Sequence, residues 1–587
     1  VKEHLRELVQ QALMDLRRER HWVIPEDFEV VIERTRHQQH GDFACNAGLL
    51  LAKPLGRPAL EIAQALAASM LQSRHVERVS VAAPGFVNFH MSNSCLHGVV
   101  RRVLESRTEF GQGEQDEPES IIVEFVSANP TGPLHVSHGR GAAIGASLCA
   151  LLAARGATVH REFYVNDIGR QLDVLAVSVW FRYLELVGSN LPFPSRGYRG
   201  AYVYSIAREL KRVDGDRFRR NPFEITAELP PDEDEAGSET HLSALIARAR
   251  QMLGADYERL HAAGLDSNLQ DIRDDLSEFG VHFDQWYSER SLVSGGKIAP
   301  AIERLRERGH ILIGDDHATW FRASTLGDEK DRVLVRANGQ PTYFASDVAY
   351  LLDKFERGFG RAIYVLAANH HGYVARLRAA ARGLGLDEHR LEILLVQPAT
   401  LWRGSERLPM SARSGDGLSL RELRAEVGSD ACRYFFVGHD SHQPLDFDLA
   451  LAREQSKDNP VYYVQYAHAR IAGVFRTLEE RHYSHNRSAG DAARGLLVHP
   501  AELELMRQLM RYPEITQAAA DCRAPHLLAV YLRELAHGLH SYYDGSAVRV
   551  LCEEEDLRNA RLNLLRATQQ VIHNGLELLG VSAPDRL

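Results

Sequence analysis

The chain has 587 residues, 44% hydrophobic and 25% charged, with a formal net charge of −10. That length exceeds what one core supports and implies two or three domains of an ordinary soluble globular composition. The acidic balance excludes an indiscriminate nucleic-acid binder, but not a binder whose Arg and Lys gather on one face. Six widely spaced cysteines without a C-x-x-C pair argue against a disulfide scaffold or zinc knuckle and for reduced thiols. The opening Val1-Lys-Glu-His-Leu-Arg-Glu7 lacks an apolar signal core, and no 18-residue apolar run occurs. The expectation is a cytoplasmic protein with no membrane partner.

Residues 1–115 read as an α+β unit. An amphipathic helix carries Leu5, Leu8, Leu13 and Leu16, and a basic cluster of Arg17, Arg18 and Arg20 follows. Strand-like Phe28 to Ile32 and Val79 to Ala83 flank a helical stretch over about 43–71, and the polar stretch from Gly111 to Ser120 is a linker. From 116 to 455 strands alternate with helices, which predicts a Rossmann-like, doubly wound parallel sheet. The apolar run from Ile121 to Val126 is a buried strand, and a loop with Asn129, Pro130, Gly132 and Pro133 follows it. Ile144, Leu148, Leu151 and Leu152 then mark a helix over 139–154, and Thr158 to Val165 the next strand. Between about 190 and 280 the alternation is lost. Pro192, Pro194 and the Pro230-Pro-Asp-Glu-Asp-Glu235 run predict a partly helical, weakly constrained surface insertion. Strands return at Ala362 to Ala368 and Glu392 to Val396, with a helix from about Val374 between them. Residues 456–587 show only helical stripes: Tyr462, Tyr466 and Arg470; Leu528, Leu532, Leu535 and Leu539; Leu564, Leu565, Thr568 and Ile572. They predict an all-α helix bundle.

His135 and His138 fall where a strand hands over to a helix start, whose free N–H groups and dipole favour phosphate. A chance H-x-x-H pair on a surface or in a core is the bland alternative. A metal pair is unsupported, because no H-E-x-x-H pattern or nearby third ligand appears. A guanidinium pocket calls for a carboxylate and an aromatic face. Tyr343 and Asp347 lie one helical turn apart and meet that need, although Y-x-x-x-D strings are usually surface decoration.

The run from Val123 to Gly141 resembles the His-Ile-Gly-His signature of class I aminoacyl-tRNA synthetases, in the form of the arginyl-tRNA synthetases, and the resemblance covers nearly the whole chain. It implies an ATP site on Pro133, Leu134, His135, Val136, Ser137, His138 and Gly139. Ser137 replaces the family's Gly against the adenine, which predicts weaker ATP binding. The family's mobile Lys-Met-Ser-Lys-Ser loop matches Pro409-Met-Ser-Ala-Arg-Ser-Gly415, with both lysines lost, to Pro409 and Ala412. Met410 and Ser411 would then meet ATP. Arg413 would join His135 and His138 as the catalytic groups, helped by Arg407 or Arg140, although arginine is a larger, planar cation. An ordinary polar turn is the alternative there.

By the same resemblance Tyr343, Asp347 and Glu289 bind the arginine guanidinium, and Glu124, Ser127 and Asn129 lie near its ammonium and carboxylate ends. His370, in a His-His-Gly-Tyr run where Asn369 replaces the family's Asp, is either a substrate contact or a packing residue. Asn166, Asp167 and Gln171 either order the loop over the site or cap the next helix. Residues 1–115 resemble the domain that grips the tRNA elbow, through Arg17, Arg18 and Arg20. Residues 456–587 resemble the anticodon-binding domain, with Tyr462, Tyr466, Arg470 and an Arg558/Arg561 face towards the loop. Solvated helix faces are the alternative for all of these. The activity implied is ATP-dependent formation of arginyl-adenylate and transfer of arginine to the 3′ end of its tRNA, by a monomer, with Mg²⁺ on the nucleotide and no protein metal site. Two rivals stand beside it. Ser137, Asn369, Pro409 and Ala412 together motivate a degenerate paralogue that binds tRNA or arginine without efficient charging. An adenylating enzyme of another specificity is opposed by Tyr343 and Asp347.

Overall fold

Five parallel strands organise the molecule: β1 (Ser120–Phe125), β2 (Thr158–Val165), β3 (Gln285–Ser288), β4 (Arg361–Ala367) and β5 (Leu391–Val396), in the order β5-β4-β1-β2-β3. The computed structural model describes the chain apart from residues 36, 114–116, 409–417 and 546–547. Ile121, Ile122, Val123 and Phe125 of β1 are all buried, as a strand covered on both faces requires. Helix α1 (Val136–Ala154) crosses from β1 to β2 and buries Ile144, Leu148, Leu151 and Leu152. It starts three residues before the predicted helix, which makes His135 its N-cap. From β1 the sheet grows one way through β2 and β3 and the other way through β4 and β5. A crevice therefore opens at the strands' carboxyl ends, between β1 and β4, where such sheets hold ligands. Four more helices border it: α2 (Arg170–Leu186), α3 (Glu289–Ser294), α4 (Tyr343–Glu356) and α5 (His371–Leu384).

Before β1 lies a four-stranded antiparallel sheet, in the order Ile32–Arg34, Phe43–Cys45, Phe86–Met91, Val76–Ala82. The strand expected over 28–32 is displaced, because a turn joins Phe28 N–H to the Pro25 carbonyl (3.3 Å) and pairing begins only at Ile32. Three-residue strands such as Phe43–Cys45 are too short to display alternation. Two small three-stranded sheets also went unpredicted, one over 311–335 and one joining Ala399–Arg403 to Glu406–Arg407 and Leu445–Asp448.

The stretch from 190 to 280 is not weakly constrained. Helices Ala201–Asp214, Glu235–Leu253 and Ala255–Glu278 pack with α2 around their own apolar core, which includes Trp180, Leu210, Phe218, Leu245 and Leu260. Val203, Ile206, Ala207 and Leu210 repeat at helical spacing and carried this signal, which the prolines and acids of the surface loops masked.

After 456 the helices Pro460–Glu480, Pro500–Asp521, His526–Asp544 and Glu555–Leu578 dominate, and the predicted stripes are buried. Arg558 and Arg561 do not form a face for RNA. Arg558 donates to the carbonyls of Cys552 (2.9 Å) and Glu553 (3.0 Å), and Arg561 to buried Glu502 (2.8 Å). Arg34 to Glu514 (2.9 Å) and Arg507 to Asp42 (2.8 Å) join the N-terminal sheet to these helices. Among the described residues no helix is long and apolar enough to cross a membrane.

Trp180 is fully buried and its indole N–H donates to the Phe218 carbonyl at 2.9 Å. Trp180→Ala is expected to cost about 3–5 kcal/mol in urea unfolding and to open residues 190–280 to protease before the rest of the chain. A loss below about 0.5 kcal/mol would mark this core as loosely packed.

Candidate active site

The turn after β1 is strained. Val126 and Ser127 have φ of 68° and 38°, a region that costs non-glycine residues about 1–3 kcal/mol. Hydrogen bonds hold it: Ser127 N–H donates to the Phe125 carbonyl (2.9 Å), Ser127 Oγ donates to Glu124 (3.1 Å), and Oγ accepts from Tyr164 N–H (3.1 Å). The chain then runs to the N-terminus of α1. There the His135 N–H donates to His138 Nδ1 at 3.1 Å, which leaves Nε2 of a neutral His138 as the donor. Burial lowers both imidazole pKa values, and with His135 beside it His138 falls to about 4. Both rings are therefore neutral donors at pH 7. A Cβ on Gly139 would lie 2.6 Å from Leu420, whose N–H donates to the Leu134 carbonyl (2.8 Å). Glycine thus lets α1 dock on the segment that carries Ser419 and Leu420.

A cleft of about 710 Å³ opens here, with Val126, Ser137 and His138 on one side and Ala368, Asn369 and His371 on the other. Ser137 therefore borders this cleft directly. Leu134 and Val136 are 1% exposed and brace the loop from beneath, while Pro133 is half-buried. His370 is exposed at the N-cap of α5, and its neighbours Asn369 and His371 line the cleft.

Acidic groups cluster at the same end of the sheet. Tyr343 opens α4, Asp347 follows one turn later, and Glu289 begins α3. Tyr343 Oη packs over Gly169, whose φ is +110° and whose missing Cβ would lie 2.4 Å away. Asp167 accepts from Ser288 Oγ (2.5 Å) and Arg290 N–H (2.8 Å) and so fixes Glu289 between them. It does not cap α2, which starts at Gly169 without a side-chain cap, and Gln171 is exposed. With its amide nitrogen towards the carboxylate, Asn166 donates to Glu289 at 3.0 Å. Its side chain also lies 3.2 Å from exposed Asn129.

Burial and then the Asp347 charge raise the Glu289 carboxyl to about 7, and the Ser346 and Tyr164 hydroxyls oppose part of that rise. Burial raises Asp347 to about 7 as well; the Tyr373 hydroxyl and the Arg376 charge oppose the shift and Glu124 reinforces it. Glu124 itself pairs with Lys354 Nζ at 2.5 Å. Lys354 is fully buried over the rings of Tyr364 (3.7 Å) and Tyr350 (4.2 Å), and burial lowers its pKa against the pull of Glu124. Sequence reasoning missed Lys354. The one available signal was its place two turns after Asp347 on α4. Glu289 and Asp347 have no such ion pair among the described residues. Neutral donors for an anion and two carboxyls without an ion pair among the described residues thus occupy the same end of the sheet.

Arg140 does not serve the cleft. It is 0% exposed and donates to the carbonyls of Gln397 (2.8 Å), Gln443 (2.9 Å) and Asp440 (3.0 Å), stitching the end of β5 to the 440–443 turn. Pro409, Met410, Ser411, Ala412 and Arg413 lie outside the described residues, and Arg407 is exposed just before them. Further away, the rings of Tyr462 and Tyr466 stack 6.0 Å apart, and Arg470 lies 4.1 Å over Tyr543 and pairs with Asp544. Arg17, Arg18 and Arg20 are exposed at the end of the N-terminal helix Lys2–Arg20, where Arg17 donates to the Ile24 carbonyl (2.5 Å). Arg140→Met is expected to cost about 3 kcal/mol or more in urea unfolding, because it strands buried carbonyls, and to leave nucleotide affinity within about twofold. Unchanged stability with lost nucleotide binding would return Arg140 to the phosphate site.

Residues 3–91 match the arginyl tRNA synthetase N terminal domain, 99–187 the catalytic domain of class I (R) tRNA synthetases, and 464–587 the DALR anticodon binding domain. The arginine–tRNA ligase of Thioalkalivibrio sulfidiphilus is 51% identical over 591 residues, covering 100% of both chains. That of Legionella pneumophila is 49% identical over 582 residues, covering 99% of both. A putative arginyl-tRNA synthetase from Campylobacter jejuni superposes with a TM-score of 0.73 at 29% identity, over 84% of this chain and 100% of its own. The arginyl-tRNA synthetase of Thermus thermophilus shares the fold, with a TM-score of 0.71 at 22% identity over 100% of both chains. Identical to known arginine–tRNA ligases at about half of its positions over its full length, the chain belongs to the arginyl-tRNA synthetase family of class I aminoacyl-tRNA synthetases.

Proposed function

We propose that this chain is an arginine–tRNA ligase, which activates arginine with ATP and transfers it to the 3′ end of the arginine-accepting tRNA. The observation that carries the reading is the pair of carboxyls Glu289 and Asp347, raised to about 7 and without an ion pair among the described residues, at the same end of the sheet as a helix start with neutral imidazole donors. In the first step an arginine carboxylate oxygen attacks the α-phosphorus of ATP, and pyrophosphate leaves with the electrons of the broken P–O bond. In the second a terminal ribose hydroxyl attacks the adenylate carbonyl, and AMP leaves. Neither step needs a protein nucleophile; reactants must be aligned and charge must be held.

Asp347 and Glu289 take the guanidinium fork, with Tyr343 at its face. Glu124, paired with Lys354, and Ser127 and Asn129 orient the amino-acid end. His135, His138 and the α1 amides hold phosphate, with Pro133 and Gly139 shaping the loop, and Arg413, Met410 and Ser411 meet the nucleotide, as their match to the family's loop implies. Magnesium enters chelated to the nucleotide. Residues 1–115 and 456–587 grip the tRNA, and Tyr462, Tyr466 and Arg470 meet the anticodon loop. The enzyme works as a cytoplasmic monomer.

One observation favours the rival, a paralogue that binds without efficient charging: Ser137 lines the cleft, and its hydroxymethyl narrows the adenine space. Aminoacylation of total tRNA with each amino acid at saturating ATP separates the two. Arginine alone should be charged, and Ser137→Gly should lower the KM for ATP. Tight tRNA binding with no charging by any amino acid would support the rival.

The arginine pocket is pH-sensitive. Both carboxyls titrate near 7 and must be ionised to hold a guanidinium. Because these pKa values are raised, the unliganded fold draws stability from the two groups at low pH and loses it as pH rises through 7; a bound cation restores it. The KM for arginine is therefore expected to rise at least about tenfold from pH 8 to pH 6. A flat profile would mean that the pair is ionised without ligand.

A further inference from the structure

The loop ahead of the paired histidines is short of partners of its own. It contains Pro130 and Pro133, which have no N–H, and its internal bond is Thr131 N–H to the Asn129 carbonyl (2.8 Å). The consecutive carbonyls at 130 and 131 each accept from a side chain outside the loop, as buried carbonyls require donors. Both donors come from the helical insertion. Tyr202, on helix Ala201–Asp214, donates its hydroxyl to the Thr131 carbonyl at 2.6 Å, and its ring lies against Gly132, whose missing Cβ would be 3.1 Å from Tyr202 Oη. Asn268, on helix Ala255–Glu278 and 3% exposed, donates Nδ2 to the Pro130 carbonyl at 3.2 Å.

The second helix also grips the opposite wall. Its Asp275 and Glu278 pair with Arg424, and its Asp271 pairs with Arg421 at 2.8 Å, both on helix Leu420–Val427. That helix begins at Leu420, whose N–H meets the Leu134 carbonyl, beside Ser419, which bridges His135. One rigid helix thus touches the loop before the histidines and the helix that follows the second signature segment.

We propose that Tyr202 and Asn268 are positioning residues for the nucleotide: the insertion sets the loop that aims His135, His138 and the start of α1 at the phosphates. The proposal rests on the reading of this cleft as the ATP site. Tyr202→Phe keeps the ring on Gly132 and removes only the donor; Asn268→Leu removes the other donor at similar volume.

The test is calorimetric titration of the full chain with ATP and, separately, with arginine, alongside thermal unfolding. Each variant is expected to raise the ATP Kd about threefold to tenfold, the worth of one buried hydrogen bond, while the arginine Kd stays within twofold. Tyr202→Phe strands one half-buried carbonyl and should lower the unfolding temperature by no more than a few degrees, and the double variant should weaken ATP further. An unchanged ATP Kd in Tyr202→Phe overturns the proposal. So do ATP and arginine affinities that fall together with the unfolding temperature, which would be mere loss of structure. If the unsubstituted chain binds ATP and these variants weaken it, yet no tRNA is charged, the ligase reading fails and this inference stands. An unsubstituted chain that binds no ATP sinks both.

Discussion

Two carboxyl groups placed together away from water cannot both ionise without a cation, and this constraint governs the site. Desolvation raises both to about 7, helped at Glu289 by the charge of Asp347 and at Asp347 by that of Glu124. Glu124 shows the alternative within the same cluster: an internal lysine is buried with it, and it needs no ligand for balance. On the proposed reading, the proton on the Glu289 and Asp347 carboxyls is a place-holder for a ligand cation. A neutral side chain would leave the pocket's charge unanswered. A lysine ammonium would supply charge without the planar fork that two carboxylates can share.

Much of the surrounding backbone exists to hold those groups still. The strained Val126–Ser127 turn is fastened to Glu124 on one strand and to Tyr164 on the next. Asp167 spends its acceptors on Ser288 and Arg290, on either side of Glu289. Arg140 fixes the far side of the crevice through main-chain carbonyls. These contacts touch no ligand; they limit where the ligand-facing atoms can go, which a site aligning two reactants requires.

The sequence exposed those parts of this arrangement that depend on local pattern. Parallel strands appear as unbroken apolar runs, α1 as a 3.6-residue stripe, and Tyr343 with Asp347 as a four-residue spacing. Parts that depend on contacts distant in sequence were hidden. Glu124 and Lys354 lie 230 positions apart, and nothing local marks them as partners. Arg140 looked like a phosphate ligand because it follows the histidines, yet its face of α1 points into the protein. Arg558 and Arg561 were misjudged in the same way, since a helical charge pattern does not say which carbonyls lie opposite. The insertion's core was obscured by acidic, proline-rich loops, although the helix holding Val203 to Leu210 carried the stripe. The segment from Pro409 to Arg413 falls outside the described residues, so its part rests on its resemblance to the family's loop.

Proton exchange with the ligand tests the central claim most directly. Arginine can be titrated into the protein at pH 6.5 in buffers of different ionisation enthalpy, and the buffer dependence of the heat counts protons. Carboxyls that titrate near 7 should release about one proton or more per arginine at pH 6.5 and close to none at pH 8.5. A binding heat independent of buffer at pH 6.5 would mean that Glu289 and Asp347 are already ionised together in the free protein, and the account would be wrong.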